Sequence, residues 1–275
     1  MSDANSTSGL PPPILRGKNP VARSEFTPEN LLREARRQKA LATETVPKFC
    51  ILDPDGDMVR HLVAAGCARR HLAWACYHTE LHTFEYEGLN FGIVGCAVGA
   101  PFAVLVSEEL FASGCKFLVS MTSAGQILPI QAPPYFIVIE RALRDEGTSY
   151  HYLAAADYST ASDSLLRLCT EALTAAGIAV QIGGTWTTDA PFRETADAID
   201  IAKKAGILAV DMEAAALYAF AEARRKPVIC IAHVTNQLGR IEGDFEKGAA
   251  DGAEESLKLI AAVARAYERE YLNSG

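Results

Sequence analysis

The sequence predicts an α/β fold: a three-layer α/β/α sandwich whose central sheet, mostly parallel or mixed, is flanked by helices. Three observations predict it. Short apolar runs alternate along the chain with stretches of helical periodicity. Most of those runs are continuous rather than alternating, as in strands covered on both faces. The chain has 275 residues, 49% hydrophobic and 22% charged, enough for a large core without disulfide staples. Its net charge of −8 and isoelectric point near 5.3 exclude a general nucleic-acid binder, which needs a basic footprint. No apolar run approaches the ~20 residues that span a bilayer, so no membrane partner is expected.

The elements follow in order. Residues 1–45 read as a Pro-rich arm and a basic helix, and residues 46–275 as the main domain. Thr27 is placed to cap a helix opening at Pro28 and Glu29 and running to about Leu41. Its Arg33, Arg36, Arg37 and Lys39 form either a solvated face or a docking arm for a neighbouring subunit. Phe49 to Leu52 reads as a strand, Asp57 to Ala65 as a helix, Phe91 to Val98 as a strand and Pro101 to Ala112 as a helix. Phe117 to Met121 and Tyr135 to Glu140 are strands, and Ser162 to Ala175 is a helix. Strands at Ile178 to Ile182, Ile207 to Val210 and Val228 to His233 alternate with helices at Glu194 to Lys204 and Met212 to Arg225. Leu257, Ile260, Val263, Ala264 and Tyr267 give the last helix an apolar stripe. The seven cysteines are scattered and mostly within apolar runs, which predicts reduced, buried thiols and a cytoplasmic protein. None has zinc spacing, so no metal is expected.

In open α/β sheets ligands gather beyond the carboxyl ends of strands, and polar residues collect there. Asp53-Pro54-Asp55-Gly56-Asp57 is either a turn with a helix cap or an acidic lip to a site. Gly95 to Pro101 opens a helix with small residues that let backbone N–H groups approach an anion or a sugar oxygen; it is also compatible with plain packing. Ser120 to Gln126 offers the Thr122 and Ser123 hydroxyls at a turn. Trp186, Asp189, Phe192 and Arg193 can hold a planar heterocycle by stacking and edge contacts, or can form a loop packed on the body. Glu213 begins an apolar helix. In a dry pocket it can accept hydrogen bonds from a vicinal diol, the edge of a ribose; alternatively it only complements the helix dipole. His233 to Asn236 end the last strand with hydrogen-bonding side chains.

Together these segments resemble the nucleoside phosphorylase family, the branch holding uridine phosphorylase, hexameric purine nucleoside phosphorylase and the methylthioadenosine/adenosylhomocysteine nucleosidases. The resemblance runs from about residue 48 to 270. Val210-Asp211-Met212-Glu213-Ala214 is its most specific part. It implies that Met212 packs under the sugar and Glu213 binds the ribose hydroxyls, with Thr122 beside them. Gly95, Gly99, Thr122 and Ser123 are then expected at a weak phosphate site, and Trp186, Asp189, Phe192, Arg193 and Asn236 at the base. The resemblance also implies a homo-oligomer, hexamer or dimer, and no cofactor beyond inorganic phosphate as co-substrate.

The departures are specific. The family's G-D-P-x-R after the first strand is Leu52-Asp53-Pro54-Asp55-Gly56 here, without its Gly or its Arg. A second phosphate Arg would fall at Val119 or Ser120. A third, from a neighbouring subunit, would fall near Tyr77 to His82, where His78 and His82 are the only bases. Asn236 stands where purine enzymes have an Asp, a uridine-type pattern, and an amide cannot protonate a leaving base. The expectation is phosphorolysis of a ribonucleoside, with Glu213, Arg193 and Asp57 as catalytic candidates. Hydrolysis by water activated from the Asp53–Asp57 loop is the first alternative, and a non-catalytic nucleoside binder is the second.

Overall fold

The computed structural model describes residues 10–239 and 242–273; of the expected N-terminal arm, residues 1–9 lie outside that range. The strands are β1 (Phe49–Asp53), β2 (Arg69–Arg70), β3 (His82–Tyr86), β4 (Leu89–Gly95), β5 (Phe117–Gln126), β6 (Tyr135–Asp145), β7 (Tyr158–Thr160), β8 (Gln181–Thr188), β9 (Ile207–Asp211) and β10 (Val228–Asn236). The helices are α1 (Pro28–Lys39), α2 (Asp57–Ala64), α3 (Ala100–Ala112), α4 (Asp163–Ala175), α5 (Ala196–Lys204), α6 (Ala214–Arg224) and α7 (Ala253–Tyr267).

The sheet is mixed and flanked by helices, as the sequence predicts. Its order is β10-β6-β8-β9-β5-β1-β4-β3-β2, and β10 also pairs with β5. The circuit β5-β10-β6-β8-β9 therefore closes on itself. β1 pairs in parallel with β4 and β5, and β10 in parallel with β5. The ends of β1, β4, β5 and β10 thus point the same way, which assembles their following turns at one rim. β9 runs antiparallel to β5, meeting it at Gly125 and Val210. That contact brings the start of α6 to the same place.

Three elements extend further than their apolar runs indicate. β5 continues to Gln126 and β6 to Asp145. β8 begins at Gln181 and runs through Trp186 to Thr188, a stretch expected to be loop. Gly183 and Gly184 look like a break in that strand but are a packing requirement. A Cβ on Gly183 would lie 2.4 Å from Leu208 Cδ1, and one on Gly184 would lie 3.2 Å from Arg141 Nε.

The cysteine expectation needs one correction. Cys67 and Cys96 are exposed, and the other five are buried. Cys67 lies just past α2, and Cys96 sits in the turn after β4 with φ +62°. Thr27 caps α1 as expected, accepting from the Asn30 N–H. Leu32 and Ala35 bury that helix against Ala75.

The core centres on α6, whose residues Ala214 to Phe220 are all buried. A run of alanines lets the helix lie close to the sheet, and the larger Tyr218 and Phe220 anchor it. The Tyr218 hydroxyl donates to the Ile139 carbonyl and accepts from the Cys230 N–H at 3.1 Å. It thus stitches α6 to both β6 and β10. Tyr218→Phe leaves two buried backbone groups short of a partner, and should lower unfolding free energy by roughly 1–3 kcal/mol in urea titration.

Candidate functional site

Glu213 is 2% exposed, and its carboxylate joins the turn after β4, the middle of β5 and the start of α6. Oε1 accepts from the Gly99 N–H at 2.7 Å, and Oε2 accepts from the Thr122 hydroxyl at 2.8 Å. Gly99 precedes α3 with φ +89°, a conformation that favours glycine, and this turns its N–H toward the carboxylate. Thr122 lies on β5 and Glu213 at the N-cap of α6, one step short of the helix the sequence assigned it to. Burial, then the Asp211 charge, pushes the Glu213 carboxyl up to about 7, against the two hydrogen bonds that favour its charged form.

Beside this clasp, the Ser123 and Thr235 hydroxyls are hydrogen bonded at 2.8 Å, and the Asn236 amide donates to Thr235 Oγ1 at 3.2 Å. Asn236 Oδ1 accepts from the Leu238 N–H, which commits that oxygen to the turn after β10. His233 stacks on Phe136 with ring centroids 4.6 Å apart. Burial and the nearby Lys247 ammonium pull the His233 imidazole down to about 4.

The loop after β1 differs from a bare acidic lip. Asp57 is ion-paired with both Arg60 and Lys247, and Asp55 lies 3.7 Å from Lys247. The Arg60 guanidinium folds across Gly56, where a Cβ would fall 2.7 Å from its Nη1 and 2.8 Å from Cys96 Sγ. Gly56 thus makes room for Arg60 between this loop and the turn after β4. Asp57, a candidate to activate water, has both oxygens engaged by cations here. Asp53 is buried, accepts from the Val59 N–H at 2.9 Å, and is pushed up to about 7, chiefly by burial.

The sequence profile of the phosphorylase superfamily matches residues 48–267. The chain belongs to the phosphorylase superfamily. Uridine phosphorylase of Thermococcus kodakarensis is 27% identical over 237 residues, covering 78% of this chain and 83% of the relative. Two solved structures share the fold. Uridine phosphorylase from Vibrio fischeri has a TM-score of 0.67 at 24% identity, covering 88% of this chain and 98% of that one. Purine nucleoside phosphorylase from Toxoplasma gondii, in complex with immucillin-H, also has a TM-score of 0.67, at 20% identity, with 83% and 94% covered.

The residues expected to hold a base are scattered in this phosphorylase-superfamily chain. Trp186 is 5% exposed, packs with Ile127, Ile199 and Val210, and donates its indole N–H to Asp145 at 2.9 Å. It is a core residue because β8 runs through it, and its ring offers no stacking face. Phe192 is 100% exposed, and Arg193 beside it is also exposed. Asp189 accepts from the Gly147 N–H at 2.9 Å. Of the sugar and phosphate residues, Gly99, Thr122 and Glu213 are in direct contact, Met212 adjoins Glu213 in the chain, and Ser123 adjoins Thr122. Gly95 packs against α2, where a Cβ would meet Val59 Cγ1 at 2.5 Å.

Sequence reasoning missed Arg60, Lys247, Asp211 and Thr187. The first had a local signal, an acid and a base three apart on one helix face. Asp211 also had one, an acid two residues before the helix start whose oxygen accepts from the Glu213 and Ala214 N–H groups; Lys247 and Thr187 meet their partners only through the fold.

The raised carboxyls set a pH dependence. Glu213 and Asp53 have ordinary values of 4.5 and 3.8 and reach about 7 when folded. The folded chain therefore holds protons that the unfolded chain releases, and their contribution to stability fades as pH rises from about 4 through about 7. Melting temperature measured across that range should fall less steeply for Glu213→Gln than for the wild type.

Proposed function

We propose that the chain is a nucleoside phosphorylase of the uridine phosphorylase type. It would cleave the N-glycosidic bond of a ribonucleoside with inorganic phosphate, giving a free base and ribose 1-phosphate. The observation that carries this reading is the Glu213 carboxylate, oriented by the Gly99 N–H and the Thr122 hydroxyl where the turn after β4, β5 and the start of α6 meet. An ionised carboxylate offers about four lone-pair positions, and the protein donors use two. The remaining two match the two hydroxyls of a ribose edge.

The bond breaks as positive charge grows on the sugar and negative charge on the departing base. A nearby carboxylate and phosphate stabilise the first. Phosphate in turn needs cations. Arg60 and Lys247, gathered on Asp57 at the same rim, supply charge that the family's missing arginines do not. The Ala97 and Val98 backbone amides in the Gly95–Gly99 turn and the Ser123 hydroxyl are proposed to complete the phosphate contacts, since the Gly99 N–H and the Thr122 hydroxyl are committed to Glu213. Asn236 supports the uridine-type preference, since its amide can hydrogen bond a pyrimidine edge but cannot donate the proton a leaving purine requires. The exposed Phe192 and Arg193 are left as base contacts that close from outside, with Asp189 on the same segment. Substrate-binding residues from a second copy, a cytoplasmic location and a role in nucleoside salvage belong to the same proposal.

The decisive experiment is to incubate the protein with uridine, inosine and methylthioadenosine, each with and without phosphate. Release of uracil that requires phosphate is expected. Release without phosphate would replace this reading with hydrolysis. A thermal shift on adding nucleoside with no release would leave a binding protein. Glu213→Ala should weaken uridine binding by roughly 2–4 kcal/mol in calorimetry, because two charge-assisted hydrogen bonds are lost. Lys247→Met should raise the KM for phosphate several-fold and leave the uridine KM nearly unchanged. An equal rise in both would remove Lys247 from the phosphate site.

A further inference from the structure

We infer that Asp211 and Thr187 are positioning residues for Glu213: they cap α6 in place of its own N-cap residue and so free the Glu213 carboxylate to reach Gly99 and Thr122. The inference rests on the proposed role of Glu213 as the sugar ligand.

A helix begins with amides that have no partner within it, and the side chain at the N-cap ordinarily accepts from one of them. Glu213 occupies the N-cap of α6 with φ −132° and ψ −37°, yet makes no side-chain cap hydrogen bond. The work is done from the neighbouring strand ends. Asp211 Oδ1 accepts from the Glu213 N–H and the Ala214 N–H, each at 2.9 Å. Thr187 Oγ1 accepts from the Ala215 N–H at 3.0 Å. The Thr187 hydroxyl donates to Asp211 Oδ1 at 2.9 Å. Its single proton is committed to the carboxylate, so its lone pair faces the helix. Three successive amides are satisfied, and the Thr187 and Asp211 side chains orient one another.

Sheet register builds this pair. Thr187 and Asp211 are direct partners in the parallel ladder between β8 and β9. Both are fully buried, so the arrangement is shielded from water. Asp211 Oδ2 has no hydrogen-bond partner among the described residues. Nor has the Thr185 hydroxyl, which lies close enough to favour the ionised form of Asp211 without reaching hydrogen-bond geometry. A carboxylate held this firmly, with one oxygen saturated and the other unsatisfied, is costly to bury. Capping alone does not require that cost, since a serine or threonine at position 213 would cap the helix itself. What the arrangement adds is a free glutamate side chain directed at Gly99 and Thr122.

Thr187→Val, which keeps shape and loses the hydroxyl, tests this in the full-length chain. Thr187→Ser restores the hydroxyl, Asp211→Asn keeps an acceptor oxygen, and Glu213→Gln is the reference. In a crystal structure of Thr187→Val, the Glu213 carboxylate should leave Gly99 and Thr122 and turn back toward the first amides of α6. Uridine kcat/KM should fall on the order of 10–100-fold, as expected for a displaced contact group, and Thr187→Ser should recover most of it. A Glu213 carboxylate unmoved in Thr187→Val overturns the positioning role, whatever Glu213→Gln does. Should Thr187→Val fail to fold, Asp211→Asn and Asp211→Ala take its place: retention of uridine affinity in the first with loss in the second supports the role, and equal affinity in both overturns it. If Glu213→Gln leaves uridine binding intact while the carboxylate moves in Thr187→Val, the sugar-binding reading fails and the positioning role stands.

Discussion

The hydrogen bonds from Gly99 and Thr122 to one buried glutamate hold together the rim on which the rest of the site depends. They connect the turn after β4, the middle of β5 and the start of α6. Each partner is imposed by a different physical requirement. Gly99 needs a positive φ, Thr122 needs an inward-facing strand position, and Glu213 needs to be released from capping duty. Burial and the Asp211 charge drive this carboxyl toward its neutral form, and the two donors counter that tendency. The group therefore lies near the balance between its two protonation states at neutral pH. A buried carboxylate in that condition responds to any further donor or cation brought near it.

A second constraint governs the neighbouring loop. Asp53, Asp55 and Asp57 would repel an anionic ligand if they stood alone. Lys247 and Arg60 offset most of that charge, because the pairs turn carboxylates into supports for cations. The arrangement differs from a simple substitution of one arginine for another. Arg60 comes from a full turn further along α2, and its guanidinium fills the space that a side chain on Gly56 would take. The glycine and the arginine are thus two halves of one solution. Lys247 arrives from the segment between β10 and α7 and ties that segment to the start of α2. The pairing links the far end of the chain to its first strand.

Much of the fold was legible in the sequence because continuous apolar runs and helix caps are local signals. Thr27 and the run from Phe49 to Leu52 needed no tertiary information. β8 was misplaced for a physical reason. Its glycines are demanded by Leu208 and Arg141 on adjacent strands, and its Thr-Trp-Thr-Thr run is a buried strand whose Trp186 and Thr187 bond to Asp145 and Asp211 on neighbouring strands. Composition cannot separate such a run from a loop. The error carried into the site: with Trp186 read as loop, its ring was assigned to a base, whereas the sheet places it in the core. Glu213 and Thr122, which the fold brings into contact, stand out because a carboxylate before an apolar helix and hydroxyls at a strand end are local patterns. Thr187 and Lys247 act through strand register and long-range contact, and no spacing in the chain encodes those; Asp211 adds a local capping contact to its bond with Thr187.

The Glu213 clasp also bears on how a ligand would enter. Its two protein donors stand one on each oxygen, the same chemistry that a vicinal diol presents. The carboxylate is thereby oriented before any sugar arrives, and the ordering cost is met in folding rather than in binding. A diol that adds to the clasp brings two more donors to a group poised near neutrality, and each donor favours the charged form. In the proposed reaction, sugar capture and loss of the Glu213 proton would be one linked event. The negative charge so created would sit beside the ring that becomes cationic as the glycosidic bond breaks. Binding would thus prepare the electrostatic field that the chemical step uses, with the carboxylate ionised at the time its charge is needed.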